Sequence, residues 1–255
     1  MTKPLLFFST GYFIYLGRAV DTVVHEHHAI QIAISLENEI EVISSDSVMK
    51  YRAVIINSDE PHECRTYDNA FLLINIDPES KIGMRLKKAY LSEQKITALP
   101  KPVVEELLMD MKPLLINDTD VDPIFNTILQ FLQRLSDTDG NENMDDRIIK
   151  VLEFLKQLGN EPLKIEYLSD LVYLSPGRLI HLFTEQVGIP VRKYILWVRL
   201  LTALQHIIDG CNITNAALEA GFSDAPHFNR TFKRMFGQAP TLLLQNSRII
   251  QAYVK

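Results

Sequence analysis

The chain has 255 residues, 47% hydrophobic and 23% charged, with a formal net charge of −6. That length holds two domains of ordinary size, and the composition is that of a globular protein rather than a disordered or fibrous one. No apolar run approaches the ~18–20 residues needed to cross a bilayer, and Cys64 and Cys211 stand too far apart to suggest a disulfide framework.

The N-terminal stretch MTKPLLFFSTGYF has one lysine and a short apolar patch that runs straight into polar residues. It lacks the length and small-residue cleavage site of a signal peptide, so a reduced cytoplasmic setting with no membrane contact is expected. The segments YFIYLG, AIQIAISL, EIEVIS and FLLINI follow, short β-branched and aromatic runs broken by polar turns. Their even spacing predicts a sandwich or small barrel. Such a barrel could hold a small-molecule effector, with Ile32, Ile34, Val42, Ile55, Leu72 and Ile74 as candidate wall residues or simply as core.

From residue 81 the period changes. VVEELLMDMKPLL and PIFNTILQFLQRL carry apolar residues at helical spacing, with Pro123 at a helix start, predicting helices over 101–115 and 122–135. Both are apolar enough to need a partner. That partner is either the barrel or a second copy of the chain, through a seam of Leu107, Met111, Ile128, Phe131 and Leu135. SDTDGNEN, residues 136–143, is wholly polar and reads as a linker. The charge changes sign across it. Residues 1–144 hold 13 Lys+Arg against 22 Asp+Glu, giving −9; residues 145–255 hold 13 against 10, giving +3. The expected organisation is a sensor and dimerisation domain at 1–135, a linker at 136–144 and a helical domain at 145–255. The fold class is α+β.

After the linker the pattern is helical throughout. RIIKVLEFLKQL and LKIEYLSDLVYL come first. Ser175-Pro176 is a start signal, serine as N-cap and proline at the first helical position, and GRLIHLFTEQV runs to Gly188 as C-cap. Pro190 opens VRKYILWVRLLTALQHIID, which stops at Gly210. Trp197 on that helix reads as packing. The last segment, NITNAALEAGFSDAPHFNRTFKRMFGQAPTLLL at 212–244, sets an apolar helix, a turn at Gly221 and an aromatic, basic helix in succession. Phe228, Phe232 and Phe236 recur every four residues and share one face. Arg230 points away from that face, with Pro226, His227, Lys233 and Arg234 beside it. A helix held down by three rings and offering cations to solvent suits a DNA groove.

Residues 163–188 repeat this layout. Leu168, Leu171, Leu179, Leu182 and Phe183 face inward, leaving Gly177, Arg178, His181 and Thr184 outward. The helix between the two units, from about Val191 to Asp209, has ~19 residues and so spans ~28 Å. That is near the ~34 Å of one turn of B-DNA, so two reading helices could enter successive major-groove segments.

Two stretches resemble the DNA-binding domain of AraC-family transcription regulators. One is A-x-x-x-G-F-x-D-x-x-x-F-x-R-x-F-K-R-x-F-G-x-x-P, from Ala217 to Pro240. The other is L-S-x-L-x-x-L-S-x-x-x-L-x-x-L-F…G…Y-I-x-x-x-R-L, from Leu168 to Leu200. The resemblance implies that Arg230 contacts a base or phosphate from the second recognition helix, with His227 and Pro226 at its other reading positions. It places Gly177, Arg178 and His181 on the reading face of the first. That first helix is less basic than is usual in the family, so the second is expected to dominate base readout.

The first domain has one chemical cluster, His25-Glu26-His27-His28, with His62 after a proline and Cys64 beyond it. His25 and His27 share a strand face, and with His62 could supply three nitrogen donors to a metal. The spacing resembles the cupin-type sensor barrel common in the AraC family. Gln31 stands near where metal-binding cupins have a glutamate, and the cupin glycines are largely missing, so pocket-lining or structural histidines are expected rather than a metal, and no cofactor. The resulting expectation is a non-enzymatic transcription activator that answers to an unidentified effector. It would bind double-stranded promoter DNA, work with RNA polymerase, sit in the cytoplasm at the nucleoid, and could dimerise through residues 101–135. The alternatives are a metal-dependent cupin enzyme with a helical accessory domain, and a regulator acting mainly through protein–protein contacts.

Overall fold

Strand Ile30–Ser35 is buried at every residue, on both of its faces. A sheet covered on two sides needs a layer above and a layer below, and the chain supplies both. The structure, a computed structural model, describes residues 4–9, 11–18, 21–44, 47–116, 121–137, 144–157, 163–241 and 248–251. Its contacts group residues 1–140 with 233–255 in one unit and residues 141–232 in another. Most of the expected linker, residues 138–143, lies outside the described residues.

The first unit contains β1 (Leu5–Ser9), β2 (Tyr12–Arg18), β3 (Ile30–Ser35), β4 (Ile40–Ile43), β5 (Val48–Tyr51), β6 (Ala53–Ile56), β7 (Glu63–Arg65), β8 (Ala70–Ile76), β9 (Ile96–Ala98) and β10 (Arg248–Gln251). The larger sheet has the order β10-β1-β2-β8-β3-β6-β9, and β5-β4-β7 form a smaller one. All pairs are antiparallel except β1 with β10. Helices α1 (Lys81–Tyr90), α2 (Lys101–Ile116) and α3 (Asp122–Leu135) cover the far face of the larger sheet.

Period-2 alternation sorts the side chains. Ile30, Ile32 and Ile34 of β3, Ile55 of β6, and Leu72, Ile74 and Ile76 of β8 pack with Leu107, Met111, Ile124, Phe125, Ile128 and Phe131 of the helices. Phe7 stacks on Phe125, ring centroids 5.3 Å apart. Between the sheets lie Ala33, Ile40, Val42, Val54, Ile56 and Cys64.

Two readings left open by the residue pattern are decided here. Of the six candidate wall residues, only Val42 lies between the sheets; Ile32, Ile34, Ile55, Leu72 and Ile74 sit under the helices. The seam residues Leu107, Met111, Ile128, Phe131 and Leu135 are all buried within this one chain, where the sheet already covers them.

The second unit is helical: α4 (Asp146–Lys156), α5 (Ile165–Leu171), α6 (Pro176–Val187), α7 (Val191–Ile208), α8 (Ile213–Glu219) and α9 (Ala225–Phe236), the last running past the unit's boundary at Phe232. At 18 residues α7 is ~27 Å long. Its Tyr194, Trp197, Leu200, Ala203 and Leu204 are buried. Among the described residues no helix is long and apolar enough to cross a membrane.

Candidate nucleic-acid interface

Each presenting helix starts at a side-chain cap. Ser175 Oγ accepts the backbone N–H of Arg178 at the head of α6, and Pro176 follows at the first helical position. Asp224 Oδ1 accepts the N–H of His227 at 2.6 Å at the head of α9. Such caps satisfy donors that the first turn leaves unpaired. The partner helices α5 and α8 end in tight turns that need a left-handed residue. The second turn has Gly221 at φ 84°; the first has Tyr173 at φ 55°, with 93% of its surface exposed. No glycine marks the first turn in the sequence.

The apolar faces are fully docked. Leu168, Leu179, Leu182 and Phe183 are buried around the first pair, and Ala216, Ala217, Phe222, Phe228 and Phe232 around the second. Phe222, Phe228 and Phe232 form a chain of rings at 5.5 and 5.9 Å. Opposite them Pro226, Arg230, Lys233 and Arg234 are exposed. Among the described residues none of those three cations is in an ion pair. His227 is half-buried, its ring edge-on to Phe222 and its Nδ1 3.2 Å from Ser223 Oγ, so it is held in place by its neighbours.

On α6, Gly177, Arg178 and His181 are exposed and Thr184 half-buried. His181 Nδ1 lies 3.6 Å from Glu185, an acidic neighbour that disfavours a phosphate at this position. Thr184 donates its hydroxyl proton to the Ile180 carbonyl at 2.8 Å, which leaves mainly its methyl group to present. Ile180, 45% exposed, lies on the same side, three residues after Gly177. Sequence reasoning passed over it because an apolar residue in an amphipathic helix reads as core. Its position three after Gly177 was the available signal. Ile180 and the Thr184 methyl form an apolar strip of the kind that meets thymine methyl groups.

The first unit brings His25, His27 and His62 together. All three are buried, their ligand atoms lie within 4.8 Å of one another, and ring centroids are 4.3 Å apart for His25–His62 and 5.3 Å for His27–His62. Burial lowers His25 to about 4, helped by charge repulsion from His27, and drives His62 well below its ordinary value. Burial also lowers His27. Cys64 nearby is pushed up to about 12 by burial. His28 behaves oppositely. Burial acts to lower it, but its two nitrogens meet Asp59 at 2.8 Å and Glu79 at 2.7 Å, and these carboxylates outweigh burial and hold it up at about 9. In the second unit His206, Cys211 and Glu219 also lie together, half-buried to exposed.

Comparison with known proteins places these features. Residues 168–246 match the family model described as a helix-turn-helix domain. The transcriptional activator RhaS of Escherichia fergusonii is 30% identical over 125 residues, 48% of this chain and 44% of that one. LumQ of Photobacterium leiognathi is 27% identical over 229 residues, 85% of this chain and 90% of that one. The chain thus spans less than half the length of the first curated relatives it matches. Among solved structures, ToxT from Vibrio cholerae superposes with a TM-score of 0.59 at 12% identity, over 93% of this chain and 99% of that one, a likeness of fold. Residues 168–246 thus carry a helix-turn-helix domain, and the paired helix-turn-helix units with these relatives make the chain similar to AraC-family transcription regulators.

Proposed function

We propose that the chain is a sequence-specific DNA-binding transcription activator that reads a promoter with α6 and α9 and answers to a small-molecule effector. One observation carries this reading: Arg230, Lys233 and Arg234 stand exposed on the side of α9 opposite Phe228 and Phe232. The arginine supplies bidentate contact to guanine, and the neighbouring cations supply phosphate contacts that fix register. The rod α7 sets the spacing between the two reading helices. RhaS, matched over the helical half, carries the name of an activator.

An effector acts by preferring one arrangement of the chain over another, so that its binding shifts the population. In this reading the protein performs no catalytic step, works beside RNA polymerase at the promoter, and resides in the cytoplasm. Any homodimer contact at residues 101–135 uses the outer surface of those helices, because their inner residues are already filled.

The test is selection of bound fragments from a random DNA pool by the full chain, followed by titration of the enriched sequence at several salt concentrations. A defined motif is expected, with log affinity falling by about 0.9 per phosphate contacted for each log unit of salt. No enriched motif, or affinity indifferent to salt, overturns the reading.

A further inference from the structure

We propose that His25, His27 and His62 form a binding site for one divalent transition-metal ion of the zinc, iron, cobalt or nickel class, within the sheet-rich unit. The site stands independently of the DNA-binding reading.

The hydrogen bonds assign the protons. Nδ1 of His25 faces the Val23 carbonyl at 2.9 Å, Nδ1 of His27 faces the Ala29 carbonyl at 3.1 Å, and Nδ1 of His62 faces the Glu60 carbonyl at 2.8 Å. A carbonyl only accepts, so in each ring Nδ1 carries the proton and Nε2 is a bare lone pair. Three backbone carbonyls thus fix three imidazoles in one tautomer, the support that ligating histidines ordinarily have. Metal–nitrogen bonds of about 2.0–2.1 Å put ligand atoms roughly 3.3 Å apart, so the triad needs only a small closure.

What the three lone pairs meet is the second observation. Among the described residues His62 Nε2 is buried and has no hydrogen-bond partner. His27 Nε2 lies 2.9 Å from Gln31 Oε1, two acceptors facing each other with no proton between them. Turned over, the Gln31 amide would donate to His27 and accept the Cys64 thiol, 3.6 Å away, but His62 would stay unpaired. Asn75 pairs with Gln31 across β8 and β3, so the two side chains share a face. Both polar atoms of the Asn75 amide are also buried and without a partner among the described residues. Buried lone pairs left unmatched are costly. A cation on the imidazoles satisfies them, and a water or carboxylate on its open position satisfies Asn75. Imidazole nitrogen with one amide oxygen suits zinc, iron, cobalt or nickel rather than magnesium or calcium, whose ligands are oxygen.

The experiment uses the full chain, stripped with chelator and titrated with Co²⁺. One equivalent is expected, with the visible d–d absorption of an imidazole-ligated ion. His62→Gln weakens binding by at least about a hundredfold, the upper end of what losing a supporting partner alone costs. Should that variant fail to fold, Gln31→Glu decides: it adds a carboxylate oxygen beside His27 and is expected to tighten Co²⁺ binding and shift the absorption. Cys211→Ser leaves both unchanged, separating this site from the His206 cluster. No bound cobalt, cobalt lost only with Cys211→Ser, or binding indifferent to both His62→Gln and Gln31→Glu overturns the proposal.

Discussion

The carboxylate of Asp224 holds the backbone N–H of His227 at 2.6 Å, tying the turn after α8 to the first turn of α9. A cap of this kind contributes about 0.5–2 kcal/mol. Asp224→Ala is therefore expected to lower stability by about 1 kcal/mol in urea denaturation, and to weaken DNA binding by loosening the start of α9. Asp224→Asn, which still accepts, is expected to recover most of the stability.

Arg230 on α9 and His181 on α6, the two helices proposed to read DNA, stand in unequal settings. Arg230 is exposed with no ion pair among the described residues, whereas His181 has Glu185 beside it at 3.6 Å. A bidentate arginine–guanine pair is worth about 1–3 kcal/mol. Arg230→Ala is expected to reduce affinity for the selected site by about 5- to 150-fold, and His181→Ala by much less. Equal losses in a gel-shift titration at fixed salt would contradict the ranking.

His28 sits between Asp59 and Glu79 with its side chain only 2% exposed, and that of Glu79 only 3%. Removing one partner of a buried ion pair costs about 3–5 kcal/mol, because the other is left charged and unpaired. Burial raises Glu79 to about 7, so without His28 it can take up a proton; His28→Gln should therefore lose stability by less than that figure, and His28→Gln with Glu79→Gln by less still. The pH dependence follows from the raised value. The folded state keeps a proton on His28 from the ordinary histidine value of 6.5 up to about 9. Its contribution is therefore full below pH 6.5 and is lost as pH rises through about 9. Urea midpoints across that range should fall less steeply in His28→Gln than in the parent chain.

The two thiols should react differently. Cys64 is buried with its thiol near 12, leaving on the order of one molecule in 10⁴–10⁵ ionised at neutral pH, and the thiolate is the nucleophile. Cys211 is half-exposed. Iodoacetamide is expected to label Cys211 in the folded chain and Cys64 only in urea; mass spectrometry of the labelled peptides checks it.

Much of this architecture is visible in the residue pattern. The paired helix-turn-helix units show because a three- to four-residue apolar period, the cap at Ser175, and the stops at Gly188, Gly210 and Gly221 all agree. For α2 and α3 the apolar period, with Pro123 at the start of α3, is enough. The interior of the sheet unit was not legible, for a physical reason. Ala53–Ile56 is apolar throughout, and Ile30–Ser35 buries even Gln31 and Ser35, so polarity alone does not say which face looks between the sheets and which lies under the helices. Strands β5, β7 and β9 have only three or four residues each, too short to show a period. Helix α1, KIGMRLKKAY, buries only Gly83 and Leu86 and so has almost no apolar stripe. The three histidines meet through a single β-bridge between His25 and His62, 37 positions apart, a register no local pattern encodes.

Gly177 stands at the exposed head of α6, with nothing within 4 Å of where a Cβ would be and no backbone angle that demands glycine. A larger residue there would disturb neither the buried rings nor the cap at Ser175. In the proposed reading the position is thus a vacant slot on the surface offered to DNA. Successive substitutions at it could retarget the regulator to new promoters while the scaffold beneath stays as it is, so divergence in promoter choice need not wait on compensating changes elsewhere.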